Sequence, residues 1–176
     1  MDKPMPNVHF KFMSFGYAFR DFFLPRKNIL QEVGIKPGFH VLDFGCGSGG
    51  YIIAAAALAG TSGRIYALDI HPLAIQRIQH IVAKRYLKNV KTILSDRKTG
   101  LPATSVDRVL LFDVFHSLSK PDGVLNELHR ILKPKGILSF SDHHMKEAEI
   151  VARLTKGKLF RLSGQGKKIY QLLKEG

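Results

Sequence analysis

From residue 39 onward, short apolar runs of strand length alternate with stretches of helical spacing. Phe39 to Phe44, Arg64 to Asp69, Val90 to Leu94, Arg108 to Val114 and Ile137 to Ser141 read as strands, and the fourth is apolar enough to be central and covered on both faces. Gly49 to Ala59 reads as a helix whose alanines allow close packing. Pro72 to Tyr86 opens with proline at a first helical position and repeats apolar residues at Leu73, Ile75, Ile78 and Ile81–Val82. Pro121 to Leu132 is a helix closed by Pro134 and Gly136, and Glu147 to Leu154 is another. Leu159 to Ser163 and Lys168 to Leu173, joined by Gly164-Gln165-Gly166, signal a hairpin. Ahead of all this, Phe15 to Val33 reads as a helix with a break or second start at Pro25, ended by Gly34 to Gly38. The alternation predicts an α/β fold: a Rossmann-like, doubly wound, mostly parallel sheet with a C-terminal antiparallel β-hairpin. Residues 1–34 form an N-terminal helical cap on a single unit spanning 35–176.

Composition agrees with a globular chain that needs no staples: 45% of its residues are apolar and 23% charged. Cys46 is the single cysteine, which excludes an internal disulfide and fits a reducing compartment. The start of the chain lacks a charged stretch leading into a long apolar run, and the run from Tyr51 to Ala59 is too short to span a bilayer. These features predict no membrane span and a cytoplasmic protein. The net charge of +13 is shared between the two halves and favours anionic partners, RNA among them. Its densest stretch, Arg153, Lys156, Lys158, Arg161, Lys167, Lys168 and Lys174, faces only Glu175 in sequence. That stretch reads either as a solvated surface or as a polyanion-binding patch.

The candidate chemistry sits in Val41-Leu42-Asp43-Phe44-Gly45-Cys46-Gly47-Ser48-Gly49-Gly50, between a strand and a helix. In a doubly wound sheet this loop lies at the carboxyl end of the first strand, beside the ligand crevice. Glycines there allow a tight turn and let a ligand approach the backbone. Gly45, Gly47 and Gly50 also satisfy the spacing of dinucleotide enzymes. Asp43 argues against a dinucleotide, because a carboxylate at that point repels a pyrophosphate and welcomes an ammonium group. Asp69, ending the second strand, can accept both hydroxyl protons of a ribose, or else cap the helix that Pro72 opens. Asp96, just past the third strand, can accept from an adenine amino group.

Val41 to Gly50 closely resembles the first motif of the class I S-adenosylmethionine-dependent methyltransferases, of the kind typified by ubiquinone/menaquinone C-methyltransferases. Ala67-Leu68-Asp69-Ile70 resembles the second motif, and Ser95-Asp96 with Leu101-Pro102 the adenine loop. Val106 to His116 resembles the fourth strand, and Leu128 to Gly136 the helix-turn before the fifth. Lys135 stands where the family has glycine. The resemblance implies S-adenosylmethionine as cofactor, with S-adenosylhomocysteine as product. It places that cofactor against Asp43, Phe44, Gly45, Cys46, Gly47, Gly49, Asp69, Ile70, Asp96, the Arg97 backbone and Phe112.

Methyl transfer from a sulfonium is an in-line displacement that needs alignment and exclusion of water, and a general base only when the acceptor must lose a proton. The acceptor is therefore under-determined. Phe112-Asp113-Val114-Phe115 replaces the Asn/Asp-Pro-Pro-aromatic motif of enzymes acting on exocyclic base amines, and a lone cysteine disfavours cytosine-C5 and arsenic chemistry. A ribose-methylating set would need Asp113, Lys146 and a late glutamate, for which only Glu175 is available. Asp113 and His116, after the fourth strand, are the candidate catalytic residues. His116 and His143, after the fifth, are candidate pocket residues together with Phe10 and Tyr17 from an aromatic N-terminal segment that acts as lid or packs on the domain. A metal site among Asp113, His116, His143 and His144 is set aside, since adjacent histidines in a strand point to opposite sides. The leading reading is a methyltransferase acting on a small molecule. An RNA or protein methyltransferase is the alternative, followed by an NAD-dependent oxidoreductase or a non-catalytic nucleotide-binding module.

Overall fold

A computed structural model describes Pro4, Pro6 and residues 26–176. Phe10, Tyr17 and most of the expected 1–34 cap thus lie outside the described residues. Within the range expected for the cap, the structure describes α1 (Arg26–Val33), which buries Leu30 and Val33. Strands and helices then alternate: β1 (His40–Phe44), α2 (Ile52–Ala59), β2 (Arg64–Asp69), α3 (Pro72–Lys84), β3 (Val90–Leu94) and β4 (Val106–Phe112). After a short 3₁₀ turn at Phe115–Ser117 come α4 (Pro121–Ile131), β5 (Leu132–Ser141), α5 (Glu147–Thr155), β6 (Phe160–Gln165) and β7 (Tyr170–Lys174).

The seven strands form one sheet in the order β3-β2-β1-β4-β5-β7-β6. β1 to β5 run parallel, and β7 pairs antiparallel with both β5 and β6. This is the doubly wound, mostly parallel arrangement with a closing hairpin. The winding reverses between β1 and β4, which opens a crevice at their carboxyl ends.

Alternation of side chains along the strands divides the core in two. Leu42, Phe44, Val109 and Leu111 join Val124, Leu125 and Leu128 of α4 and Ile150 and Leu154 of α5. Val41, Ala67, Leu110 and Phe112 join Leu30 of α1, Ile52, Ala55, Ala56 and Ala59 of α2 and Ile78 of α3. β4 ends with four consecutive buried residues because helices cover both its faces, whereas edge strand β6 is largely exposed. No helix among the described residues is long and apolar enough to cross a membrane.

Two elements differ from their sequence expectation. β5 starts at Leu132 instead of Ile137: its register against β4 jumps between the Val106↔Leu132 and Arg108↔Ile137 pairs. Pro134, Lys135 and Gly136, which look like a stop, form a bulge within the strand, with Lys135 at φ 66°. Asp107 braces this bulge through Lys133 Nζ at 2.8 Å and accepts the His40 N–H at 2.8 Å. In the hairpin, Gly164 pairs with Gln171 within the ladder instead of turning. The turn falls three residues later, closed by the Gly166 N–H donating to the Ile169 carbonyl at 2.8 Å.

Candidate functional site

The chain leaves β1 through Gly45, Gly47 and Gly49, with φ of 76, 50 and 84°, a region that side chains rarely adopt. The N–H groups of Gly45 and Cys46 both donate to the Leu68 carbonyl, at 2.8 and 3.0 Å, which ties the bend to the end of β2. A Cβ on Gly45 would strike the Val114 side chain, so the segment just after β4 packs directly on the bend. Among the described residues, a Cβ on Gly47 would instead meet only the Gly45 carbonyl, 4.0 Å away.

Asp69 closes the bend from the other side. One carboxylate oxygen accepts the Gly47 N–H at 2.9 Å and the other accepts the His71 N–H at 2.7 Å. Asp69 does not cap α3: His71 does, its Nδ1 accepting the Leu73 N–H at 3.1 Å. Burial pushes the Asp69 carboxyl up from the ordinary range, opposed by the His71 and Gly47 N–H bonds. Each oxygen keeps a second lone pair for a ligand hydroxyl.

Asp43 is buried at the end of β1, 3% exposed. Burial, with the charges of Asp43 and Asp69, pushes the Cys46 thiol well up, so it stays a protonated packing group. Phe44 and Phe112 are buried, and Ile70 is half-buried beside Asp69. Asp96 is exposed past the end of β3, where the Ser95 N–H donates to the Asp69 carbonyl at 3.0 Å and the Arg97 N–H to Ser95 Oγ at 3.3 Å. Asp43, Asp69 and Asp96 thus stand at the carboxyl ends of three adjacent strands.

A support for the Asp96 loop went unseen in the sequence. Glu127 of α4 accepts from the N–H and hydroxyl of Thr99, at 3.0 and 2.6 Å, and Arg130 donates to the Leu101 carbonyl at 2.8 Å. The Arg130 hydrogen bond, helped by Thr99 and opposed by burial, holds the Glu127 carboxyl down to about 2. The i,i+3 spacing of Glu127 and Arg130 marks an ion pair; nothing in sequence marks Thr99 as its third member.

On the other side of the bend lies a cleft of about 580 Å³ whose walls include Ile29, Tyr51, Asp113, His143, Met145 and Tyr170. Tyr51 follows the glycine loop directly and meets Phe112 edge-on, ring centroids 5.2 Å apart. The cleft therefore adjoins the bend through Tyr51 and the segment from Phe112 to Val114. Lys167 and Lys168 also line it, as does Glu32 of α1. Gln171 anchors that helix by donating to the Glu32 carbonyl at 2.7 Å.

Where β4 and β5 end, two carboxylates and three imidazoles interlock. Asp142 accepts from the His116 and His144 N–H groups, at 3.0 and 3.1 Å, and meets His116 Nδ1 at 2.9 Å. Burial alone would push the Asp142 carboxyl up, but these bonds together outweigh it and hold the group below its ordinary range. Asp113 meets His143 Nδ1 at 2.7 Å and accepts its N–H at 3.2 Å. His144 lies tilted against the other two rings, centroids 3.9 Å from His143 and 4.2 Å from His116. The expectation that His143 and His144 point to opposite sides is thus corrected: β5 stops at Ser141, and both histidines sit in a turn. Among the described residues, no group of three or more His, Cys, Asp or Glu is placed to hold a metal ion. His143, not His116, lines the cleft.

The basic C-terminal stretch is less isolated than its sequence suggests. Arg153 pairs with Glu149 at 3.2 Å, Arg161 approaches Glu175 at 3.9 Å, and Lys174 Nζ donates to the Leu132 carbonyl at 2.8 Å.

A family model described as a methyltransferase domain matches residues 35–176. The chain belongs to the class I S-adenosylmethionine-dependent methyltransferases. Within this family it is 30% identical over 132 residues to a demethylmenaquinone methyltransferase of Geobacillus stearothermophilus, covering 74% of this chain and 56% of that one. It is 32% identical over 126 residues to an aklanonic acid methyltransferase of Streptomyces sp. (strain C5), covering 69% and 56%. The chain thus spans little more than half the length of these curated relatives. The crystal structure of a SAM-dependent methyltransferase from Aquifex aeolicus superposes with a TM-score of 0.75 at 28% identity, covering 85% of this chain and 88% of the other. The methyltransferase site itself fits the family's cofactor: a left-handed Gly47 whose Cβ direction is open among the described residues, Asp69 on its N–H, and Asp43 buried at the end of β1.

Proposed function

We propose that this chain methylates a small, ring-bearing acceptor held in the cleft beside the glycine bend, with S-adenosylmethionine as donor. The observation that carries the reading is the bend itself: Asp69 fixes the Gly47 N–H, the space over Gly47 is clear of described residues, and Asp43 is buried at the end of β1. An ammonium-bearing amino acid joined to adenosine matches that pattern of carboxylates. Asp43 would favour the ammonium group, the second lone pairs of Asp69 the ribose hydroxyls, and Asp96 with the Arg97 N–H the adenine. Bound there, the sulfonium supplies an activated methyl group. The protein's part is to align the acceptor and exclude water, and the apolar walls from Ile29, Tyr51, Met145 and Ile150 suit that task. Relatives named for demethylmenaquinone, aklanonic acid and sterol 24-C methylation support an acceptor with an extended carbon skeleton.

An RNA acceptor is the second reading, favoured by the net charge of +13 and by Lys167 and Lys168 at the cleft. Transfer of labelled methyl from S-adenosylmethionine to a metabolite extract and to total RNA, across a salt series, separates the two. Label in small metabolites with little response to salt is expected. Label in RNA that falls steeply with salt would replace the first reading by the second.

A further inference from the structure

We propose that His143, oriented by Asp113, is the general base that takes the proton from an acidic hydroxyl of the acceptor, a phenol or enol; this rests on the methyltransferase reading of the site. The carboxylate of Asp113 lies 2.7 Å from His143 Nδ1, which fixes the proton on that nitrogen and gives Nε2 the lone pair. Both residues line the cleft. The His143 side chain is 55% exposed and that of Asp113 27%, so the pair is open to a ligand and to solvent for proton release.

The backbone is set for this placement. Asp113 adopts φ 55°, a conformation uncommon for residues with side chains, and is held there by its N–H donating to the Ser141 carbonyl at 2.8 Å. One residue on, Val114 packs against Gly45, so the carboxylate stands beside the bend that binds the donor. The ring of His143 lies against that of His144, tilted by 40°, and the His144 N–H is held by Asp142. The parallel pair His116–Asp142 serves the corner: Asp142 is 4% exposed and gathers three donors, which locks the two strand ends together. Asp113, Asp142 and His116 are therefore positioning residues. Among the described residues, the other charged groups lining the cleft are Asp142, Glu32, Lys167 and Lys168, and the two lysines favour an acceptor that becomes anionic.

The step balances without further reactants. The acceptor O–H bond breaks and its proton goes to Nε2 of His143. The oxygen lone pair forms the new O–CH₃ bond as the methyl–sulfur bond breaks, and that bond's electron pair stays on sulfur. The proton then leaves His143 for water. An amine acceptor reacts through a neutral lone pair and would have no need of such a base.

The test uses wild type, His143→Gln and Asp113→Asn; asparagine tolerates the left-handed backbone, so the corner is kept. Nitrogen-15 spectra of the unliganded protein should show His143 with its proton on Nδ1. In Asp113→Asn the tautomers should mix, because an amide can donate as well as accept. Calorimetry with S-adenosylhomocysteine should give similar affinity in all three proteins. With a panel of catechols and simple phenols, His143→Gln should lower kcat by roughly 10²- to 10⁴-fold with little change in KM for S-adenosylmethionine. A wild-type His143 protonated on Nε2, an unchanged kcat in His143→Gln, or no transfer to any phenol while S-adenosylhomocysteine binds would each overturn this assignment and leave the methyltransferase reading standing. Failure of S-adenosylhomocysteine to bind the wild type would instead remove the reading it rests on.

Discussion

The glycine bend and the histidine corner lie side by side at the carboxyl ends of the same sheet, yet they are built from different materials. At the bend the shape is set by backbone: a turn whose own N–H groups are fixed by Asp69 and by the Leu68 carbonyl, with no room for a side chain at Gly45 and a left-handed φ at Gly47. At the corner they are exposed side chains, His143 and Asp113, held by contacts between two loops. A backbone site can be destroyed by adding atoms and offers few ways to be retuned. A side-chain site can change its chemistry one residue at a time without touching the fold. On the proposed reading, one part of the molecule serves a constant donor and the other a particular acceptor.

The sharpest way to break the contrast is Gly47→Val. A branched side chain at φ 50° is strained by about 1–2 kcal/mol and enters the ligand space, so S-adenosylhomocysteine affinity should fall by at least roughly 100-fold. Circular dichroism should show the fold retained. Normal affinity would place the ligand elsewhere.

Asp69→Asn should come next. Asparagine offers one acceptor oxygen to the Gly47 and His71 N–H groups, so one loses its partner and a ribose contact goes with it. Loss of a charge-assisted hydrogen bond, worth about 1.5–3 kcal/mol, should weaken binding roughly 10- to 100-fold by calorimetry. An unchanged dissociation constant would confine Asp69 to a structural role.

Glu127→Gln probes the support of the adenine-side loop. The Glu127 carboxyl sits at about 2 in the fold against an ordinary 4.5, so its contribution is complete above 4.5 and is lost as the pH falls through about 2. Urea midpoints of wild type and variant should therefore differ most near neutrality and converge in acid. A gap independent of pH would mean that the loop does not depend on the charge.

The smallest effect is expected at Lys135→Gly. Lys135 holds φ 66° in the bulge of β5, and glycine relieves that strain at some cost in unfolded-state entropy, for a net gain of about 0.5–1 kcal/mol. A loss of stability would mean that the lysine side chain contributes more than its backbone costs.

The same contrast explains what could be read before any coordinates. The succession of strands and helices and the bend follow from local patterns: apolar runs, Pro72 opening α3, and glycines next to Asp43. The bulge in β5 was hidden because Pro134 and Gly136 signal a stop in any short window, and only pairing with β4 shows the strand continuing through them. Asp113, His116 and His143 were recognisable as residues of the right kind in the right loops. Their pairing was not, since Asp113–His143 and Asp142–His116 cross between segments some thirty residues apart and depend on where β5 stops. That His71 and not Asp69 caps α3 was equally hidden, because aspartate is a preferred cap residue and histidine is not.

One titration bears most directly on the donor site. Isothermal calorimetry of the wild-type chain with S-adenosylhomocysteine, run beside NAD under the same conditions, should give saturable one-to-one binding of the first and no heat of binding from the second. Saturable binding of NAD, with S-adenosylhomocysteine silent, would contradict the assignment of the bend and everything built on it.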